Sequence, residues 1–290
     1  MAAGGGNSTP RPRASVVIPS LDGHRGGAVP RLLDSLEQQT FRDFELHVIK
    51  GVAPQGRAIN QGAAAACGEV LIICDDDARM ADEHTLERLL NVLDSDPRIG
   101  MAGASIVPDP EWNAFQRRAA RQFPRLQTPE VERITDSDLA CHGCCAMPLS
   151  VFKAVGGERE DILRGLDPDL RVRLRAAGYR VVLAPHCRIH HPLPPTLSAL
   201  LRTFFRNGYG SAYAQRFAPD SVYETHESLD DAGFRPKVSL SVRALRFPLR
   251  LLRALGSGQR LRLAAYLAYG AGYGWGWLTA KPLPPGGSGP

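Results

Sequence analysis

Val70-Leu71-Ile72-Ile73-Cys74-Asp75-Asp76-Asp77-Ala78 joins a continuous apolar run to three consecutive carboxylates. Four apolar residues in a row have the pattern of a strand covered on both faces, as in parallel sheets. Open α/β sheets present the carboxyl ends of such strands to ligands. Adjacent aspartates there relieve their repulsion around a divalent ion such as Mg2+ or Mn2+, which takes oxygen ligands and shares them with phosphates. The alternative is a solvated turn in which Asp77 or Asp82 caps a helix that begins near Glu83.

Strands and helices alternate on both sides of this run. Ser15-Val-Val-Ile-Pro19 is a short buried strand, followed by the glycine-rich turn Asp22-Gly-His-Arg-Gly-Gly27 and a helix with Leu32, Leu33 and Leu36 on one side. Phe44 to Ile49 is a second strand, and Pro54 to Cys67 an alanine-rich helix with proline in its first turn. After the aspartates come a helix bearing Leu86, Leu89, Leu90 and Leu93 and a fourth strand, Ile99 to Val107. Four alternations argue for a parallel sheet with right-handed crossovers. Neither G-x-G-x-x-G nor G-x-x-x-x-G-K-[ST] occurs, so phosphate binding falls to the acids through a metal and to isolated cations such as Lys50 and Arg57.

Beyond residue 110 a polar helical stretch, Trp112 to Arg125, precedes a loop; structure resumes at Ala140 to Met147, and a short helix, Leu149 to Val155, stops at Gly156-Gly157. In Gly165-Leu-Asp167-Pro168-Asp169 the aspartate before proline reads as a helix N-cap, with Gly178 as the stop. Such a carboxylate also faces the ligand edge if the helix points there. Asp169 and Arg173 are spaced for an i,i+4 pair. Tyr179 to Leu183 is a further strand, and His190 and His191 beyond it point to opposite faces, so at most one reaches a given site.

With 290 residues, 43% of them hydrophobic, the chain can bury one large core or two modest ones. Met1 to Arg13 reads as a flexible tail without an apolar signal region, so the catalytic part is expected in the cytoplasm. The six cysteines lie mostly in apolar segments, as small buried hydrophobes of a reducing compartment do, and the single C-x-x-C pair, Cys141 and Cys144, argues against a structural zinc site.

The ordered landmarks resemble the family 2 glycosyltransferases of the GT-A fold. Ser15-Val-Val-Ile-Pro-Ser20 is similar to their opening strand, Arg57-Ala-Ile-Asn60-Gln-Gly62 to their second helix, and Cys74-Asp-Asp-Asp77 to their D-x-D motif. Gly143-Cys-Cys-Ala-Met147, Val155-Gly-Gly157, Gly165-Leu-Asp167-Pro-Asp169-Leu170 and Ala177-Gly-Tyr-Arg-Val181 complete a series running from about residue 14 to 215. The resemblance implies a nucleotide-diphosphate-sugar donor held by Pro19, Asp22, Lys50, Arg57, Asn60, Asp75 and Asp76. It implies Mn2+ or Mg2+ on Asp77 and His191, and Asp167 as the base that deprotonates an acceptor hydroxyl for inverting transfer. Three departures stand out. Leu166 replaces the acid usual before the base, which removes a neighbour that would raise its pKa; Lys50-Gly51 replaces an aspartate at the end of the second strand; and Leu21 replaces an aromatic residue after the first.

From Ala232 to Pro290 there are nine Lys or Arg and no Asp or Glu, so the first 231 residues carry −4 against a total of +5. A basic tail on an acidic domain needs an anionic partner. Arg243, Arg246, Arg250 and Arg253 share one helical face, with Leu245, Leu249 and Leu252 beside it and Pro248 as an expected kink. Residues 263–280 carry no charge, five Tyr or Trp and four glycines. The expected role is in-plane attachment to an anionic membrane surface, ahead of packing on the domain or a span. No nucleic-acid recognition motif accompanies the charge.

The expectation is therefore an α/β protein: a GT-A-like, mostly parallel nucleotide-binding sheet flanked by helices over 14–215, an amphipathic helical membrane-attachment region over 216–281, and flexible tails at 1–13 and 282–290. The expected activity is metal-dependent transfer of a sugar to a glycan or lipid-linked acceptor, peripherally on the inner face of the cell membrane. A non-catalytic scaffold of the same fold and a metal-dependent nucleotidyltransferase are the rivals.

Overall fold

The computed structural model describes residues 11–223 and 240–284. Most of the two expected tails, together with Arg235 and Lys237, lies outside the described residues. Eight strands form one sheet: β1 (Ala14–Ser20), β2 (Phe44–Lys50), β3 (Val70–Ile73), β4 (Arg79–Met80), β5 (Ile99–Val107), β6 (Thr135–Asp136), β7 (Cys145–Pro148) and β8 (Arg180–His190). Their order is β2-β1-β3-β7-β5-β8-β4, with β6 also on β8. The five longer-range partners β1, β2, β3, β5 and β8 run in one direction, and β7, β4 and β6 run against them.

Alternation along the strands divides the core between the two faces of the sheet. Val16, Ile18 and Ile72 point to one side, under Leu32 and Leu36 of α1 (Ala28–Glu37) and Leu86 and Leu89 of α3 (Thr85–Ser95). Val17, Leu71 and Ile73 point to the other, against Ile59 of α2 (Gln55–Ala65), Phe152 of α5 (Leu149–Ala154) and Leu170 and Leu174 of α6 (Leu166–Ala176). The apolar run before the aspartates is thus covered twice, and all four of its residues are buried.

Several local expectations are corrected. His84 occupies the N-cap of α3, while Asp82 accepts the His84 N–H at 2.9 Å and pairs with Arg88 and Arg188. The polar helix is shorter than expected: α4 (Ala114–Gln122) starts from a capping box between Asn113 and Gln116. The last strand is longer than Tyr179 to Leu183, reaching His190 through a register shift opposite Gly103 and Ser105. Asp167 is not a cap. Gly165, at φ +90°, holds the N-cap position of α6 in a conformation that suits only glycine, which leaves the Asp167 side chain in the first turn.

The C-terminal third packs on the domain. α9 (Arg260–Thr279) lies along α7 (Leu197–Phe217), and its glycines make the close approach possible. A Cβ on Gly208 would sit 2.0 Å from the Tyr269 carbonyl oxygen, and one on Gly272 would sit 2.0 Å from that of Phe205. Both ends of α9 are held by side chains. The Gln122 Oε1 accepts the N–H groups of Leu261 and Arg262, and Arg216 donates to the carbonyls of Trp277 and Ala280. Of the four glycines in residues 263–280, Gly272 and Gly276 meet the backbone of α7, Gly270 faces Phe247 and Gly274 faces open space, so α9 packs through part of its surface while Leu267, Trp275, Trp277 and Leu278 stay exposed. Among the described residues no helix is long and apolar enough to cross a membrane.

α8 (Leu240–Gly256) runs through Pro248 and turns Phe247 and Ala254 inward. Its outer side leaves Leu245 73%, Leu249 48% and Leu252 63% exposed. The described arginines of the expected basic face diverge, with Arg250 directed into the cavity and Arg246 and Arg253 exposed.

Candidate active site

A cavity of about 1080 Å3 opens at the carboxyl ends of the parallel strands. Strand direction explains its contents. β1 ends in Pro19 and Ser20, β3 runs out into Asp75, Asp76 and Asp77, and β8 delivers His191. Because β7 runs the other way, the loop that enters it, 141–144, lies on this same edge, where the His142 carbonyl accepts the Asp75 N–H at 2.8 Å. The antiparallel pairing of Arg79 with His190 then carries His191 next to Asp77.

The acidic wall is internally paired. His191 Nε2 is 3.1 Å from Asp77 Oδ1 and 3.7 Å from Asp75 Oδ2. Arg25 reaches Asp77 at 2.5 Å and Asp76 at 2.7 Å, and Gln55 donates to Asp75 at 2.8 Å. Burial raises the Asp76 pKa against the pull of Ser20 and Arg25. At Asp77 burial pushes upward too, but His191 and Arg25 prevail and hold it below the ordinary value. Asp22 shapes the turn that carries Arg25, accepting the N–H groups of His24 and Arg25 at 2.8 and 2.7 Å.

Among the described residues no group of three or more His, Cys, Asp or Glu is arranged around a common metal position. The donor chemistry nonetheless suits Mn2+ or Mg2+: carboxylate oxygens and one imidazole converge within 3.1–3.7 Å, and the cations now balancing them are side chains able to move away. His190 faces away, with Asp109 among the charges near it. The cysteines are all free; Cys74 and Cys144 touch at 3.6 Å, and Cys187 contacts the Thr85 carbonyl.

Asp167 also lines the cavity. Its Oδ1 accepts the backbone N–H of His142 at 2.6 Å and lies 3.3 Å from the imidazole of the same residue. The imidazole's far nitrogen is 2.9 Å from Glu158, whose side chain is wholly buried. Burial alone would lower the His142 pKa, yet Asp167 and Glu158 push it up to about 10. For Asp167 burial raises the pKa, and His142 and Arg171 together outweigh it and set it below the ordinary value. Arg171 is itself fixed by donating to the Ala140 carbonyl at 2.5 Å.

Of the residues expected to bind the donor, Pro19, Asp22, Asp75 and Asp76 line the cavity. Lys50, Arg57 and Asn60 are not among its lining residues. The Lys50 side chain lies across Gly23, Arg57 pairs with Glu160 at 3.1 Å, and Asn60 holds the backbone of Glu158 through both its amide atoms. Arg57 and Asn60 therefore act on the loop that carries Glu158. Sequence reasoning missed Arg25, His142, Glu158 and Arg171. His142 stood inside the C-x-x-C spacing, which was weighed only as a zinc site and set aside.

Residues 51–156 match the family model described as Glycosyl transferase family 2, a span that includes the acidic run and His142 but ends before Asp167 and His191. Among solved structures, the mannosyltransferase PcManGT from Pyrobaculum calidifontis, in complex with GDP-Man and Mn2+, superposes with a TM-score of 0.53. The alignment covers 92% of this chain and 88% of that one at 15% identity. No curated protein matches the sequence. The resemblance to family 2 holds, the fold is that of a GT-A glycosyltransferase, and sugar transfer is the class of activity the family match supports.

Proposed function

We propose that this chain, built on the GT-A fold, is an inverting glycosyltransferase that moves a sugar from a nucleotide-diphosphate donor to a hydroxyl acceptor in cell-surface glycan or glycolipid assembly. The observation that carries the proposal is one cavity with the Asp75–Asp77/His191 cluster on one wall and the anionic Asp167, held by His142 and Arg171, on another.

Asp75, oriented by Gln55, is the donor nucleoside contact, with Pro19, Asp22 and Asp76 shaping the same wall. Asp77 and His191 would hold a Mn2+ or Mg2+ ion, which when bound neutralises charge on the leaving diphosphate. Asp167 accepts the proton of the acceptor hydroxyl as its oxygen bonds to the anomeric carbon, and the nucleoside diphosphate departs from the opposite side with the electron pair of the broken C–O bond. The positive neighbours of Asp167 lower its pKa and make it a weak base, so the proton moves late, once bond formation has made the hydroxyl acidic. Leu166, which is buried, supplies no charge to offset them.

Within the region 216–281, α8 is the proposed attachment to an anionic membrane surface on the cytoplasmic side. Its exposed leucine stripe beside Arg246 and Arg253 is what such a surface binds. The test is incubation of the purified protein with UDP-, GDP- and dTDP-sugars, Mn2+ and a lipid-linked acceptor, with the anomeric configuration of the product read by NMR. An inverted glycoside that disappears in Asp167→Asn is expected, and an Asp167→Asn variant with full activity would overturn the mechanism.

A further inference from the structure

His142 joins two walls of the cavity through a single residue. Its carbonyl accepts the Asp75 N–H at 2.8 Å on the acidic wall, and its own N–H reaches Asp167 Oδ1 at 2.6 Å on the other. The side chain continues inward, with one imidazole nitrogen 3.3 Å from the same Asp167 oxygen and the other 2.9 Å from Glu158. Exposure falls along this line from 32% at the Asp167 side chain to 3% at His142 and 0% at Glu158. Glu158 is therefore out of reach of substrate, and among the described residues no hydrogen bond ties either of its oxygens elsewhere. The turn that carries it is clamped from both sides. Asn60 on α2 accepts the Glu158 N–H and donates to the Glu158 carbonyl, both at 2.8 Å, and Arg173 on α6 donates to the carbonyls of Val155 and Gly157 at 2.7 Å. Gly157, at φ +65°, packs on Asn60 so closely that a Cβ there would come 2.7 Å from the amide oxygen. A carboxylate buried and fixed in this way behind an imidazole keeps that imidazole charged.

Asp167 alone could not do so through a turnover. It becomes neutral when it takes the acceptor's proton, and an imidazolium facing only Asp167 would then be a buried charge without a partner. With Glu158 behind it, the imidazolium stays paired throughout. Both of its nitrogens already carry protons, so the line holds charge and relays none. We propose that Glu158 is a positioning residue for transfer: it keeps His142 a cation before and after Asp167 takes up the proton, and that constant cation fixes the oxygen of Asp167 that the acceptor does not use. This rests on the glycosyltransferase reading and adds to it a residue that touches no substrate. The charges facing the line are Asp75 on the acidic wall, Arg171 on α6 and Arg164 just before it, while Arg57 and Glu160 beside Asn60 pair with each other at 3.1 Å. The thiols of Cys141 and Cys145 also adjoin it, and burial pushes both up, so they stay neutral near neutral pH.

The experiment compares full-length wild type, Glu158→Gln and His142→Gln/Glu158→Gln by the pH dependence of kcat at saturating donor and by NMR of isotope-labelled imidazoles, the His142 signal being the one absent from the double variant. In Glu158→Gln the His142 midpoint and the alkaline limb of kcat should fall together by about one to three pH units, because one of the two anions holding the proton is gone. The donor KM should stay within about two-fold of wild type, since the donor wall is untouched. In the double variant, which strands no charge, Asp167 loses its cation and the acid limb should rise by about one pH unit. Thermal midpoints establish that both variants fold. A His142 midpoint that does not move in Glu158→Gln, one that moves without the kcat limb, or an acid limb unchanged in the double variant would overturn the proposal. A His142 charge that depends on Glu158, in a protein that transfers no sugar from any donor, would uphold the line and sink the glycosyltransferase reading instead.

Discussion

His142 grips Asp167 twice, through its backbone N–H at 2.6 Å and its imidazole at 3.3 Å, and both contacts fall on one carboxylate oxygen. Under the proposed mechanism the other oxygen takes the acceptor's proton. Behind the imidazole, Glu158 is fully buried and among the described residues has no other cation in contact, so three ionisable groups form a single line from the interior to the cavity.

Replacing His142 with Gln keeps the backbone contact but removes the cation. Glu158 is then buried without a partner, and the expected destabilisation is about 3 kcal/mol, the usual cost of stranding one member of a buried pair. Urea unfolding measures it. Adding Glu158→Gln should recover much of the loss, and failure to recover any would mean that the line is not electrostatically coupled.

The same line makes stability depend on pH with a definite sign. The His142 pKa is raised from 6.5 to about 10, so its contribution is fully present below 6.5 and is lost as pH rises toward 10. The charges facing it are Asp167, Glu158 and Asp75, with Arg171 close to Asp167. Unfolding free energies of wild type and His142→Gln should therefore converge by up to about 1.4 kcal/mol per pH unit across that window. A gap that widens with pH would contradict a protonated His142.

Arg25 sits at φ +44° and pairs with Asp76 and Asp77. Because it and a divalent ion would compete for Asp77, Arg25→Gly should bind Mn2+ several-fold more tightly in a calorimetric titration. It should also shed the backbone strain of a left-handed arginine, about 1 kcal/mol. Weaker Mn2+ binding would mean that Arg25 supports the ion.

Asp77→Asn and Asp167→Asn should fail differently. The first is expected to abolish the Mn2+-dependent thermal shift by a sugar nucleotide, and the second to leave that shift intact while transfer drops by at least about 100-fold, the lower range for general-base catalysis. Loss of donor binding in both would assign Asp167 to the donor.

The two C-terminal helices should also separate by mutation. Gly272→Ala forces a methyl onto the Phe205 carbonyl and should cost about 1–3 kcal/mol in stability. Leu249→Asp/Leu252→Asp, on the exposed stripe of α8, should leave stability near wild type while abolishing co-sedimentation with anionic vesicles. Undiminished sedimentation would remove α8 as the attachment.

The sheet strands were legible because apolar continuity and the acids that end β3 are local properties of the chain. The meeting of Asp77 and His191 was legible only through the family resemblance, since the strand pattern alone said no more than that at most one of His190 and His191 reaches a given site. The His142–Glu158 pair was not, since its partners are 16 residues apart on a loop and a post-glycine bend, and no periodicity links them. The packing of α9 on α7 was not legible either, because glycines such as Gly272 and Gly276, which weaken an isolated helix, are the ones that let α9 lie on the backbone of α7. Arg57 and Asn60 had the right residue types, but helix α2 directs them at Glu158 and Glu160 and away from the cavity.

The reversal of β7 divides the chain's tolerance to length changes. In its neighbours, the residues after a strand border the substrate space and those before it lie at the opposite rim. For β7 this is inverted, so one residue inserted before Cys145 would displace His142 from both Asp75 and Asp167 at once. The joint between Pro148 and α5, at the far rim, could absorb the same insertion without moving either aspartate.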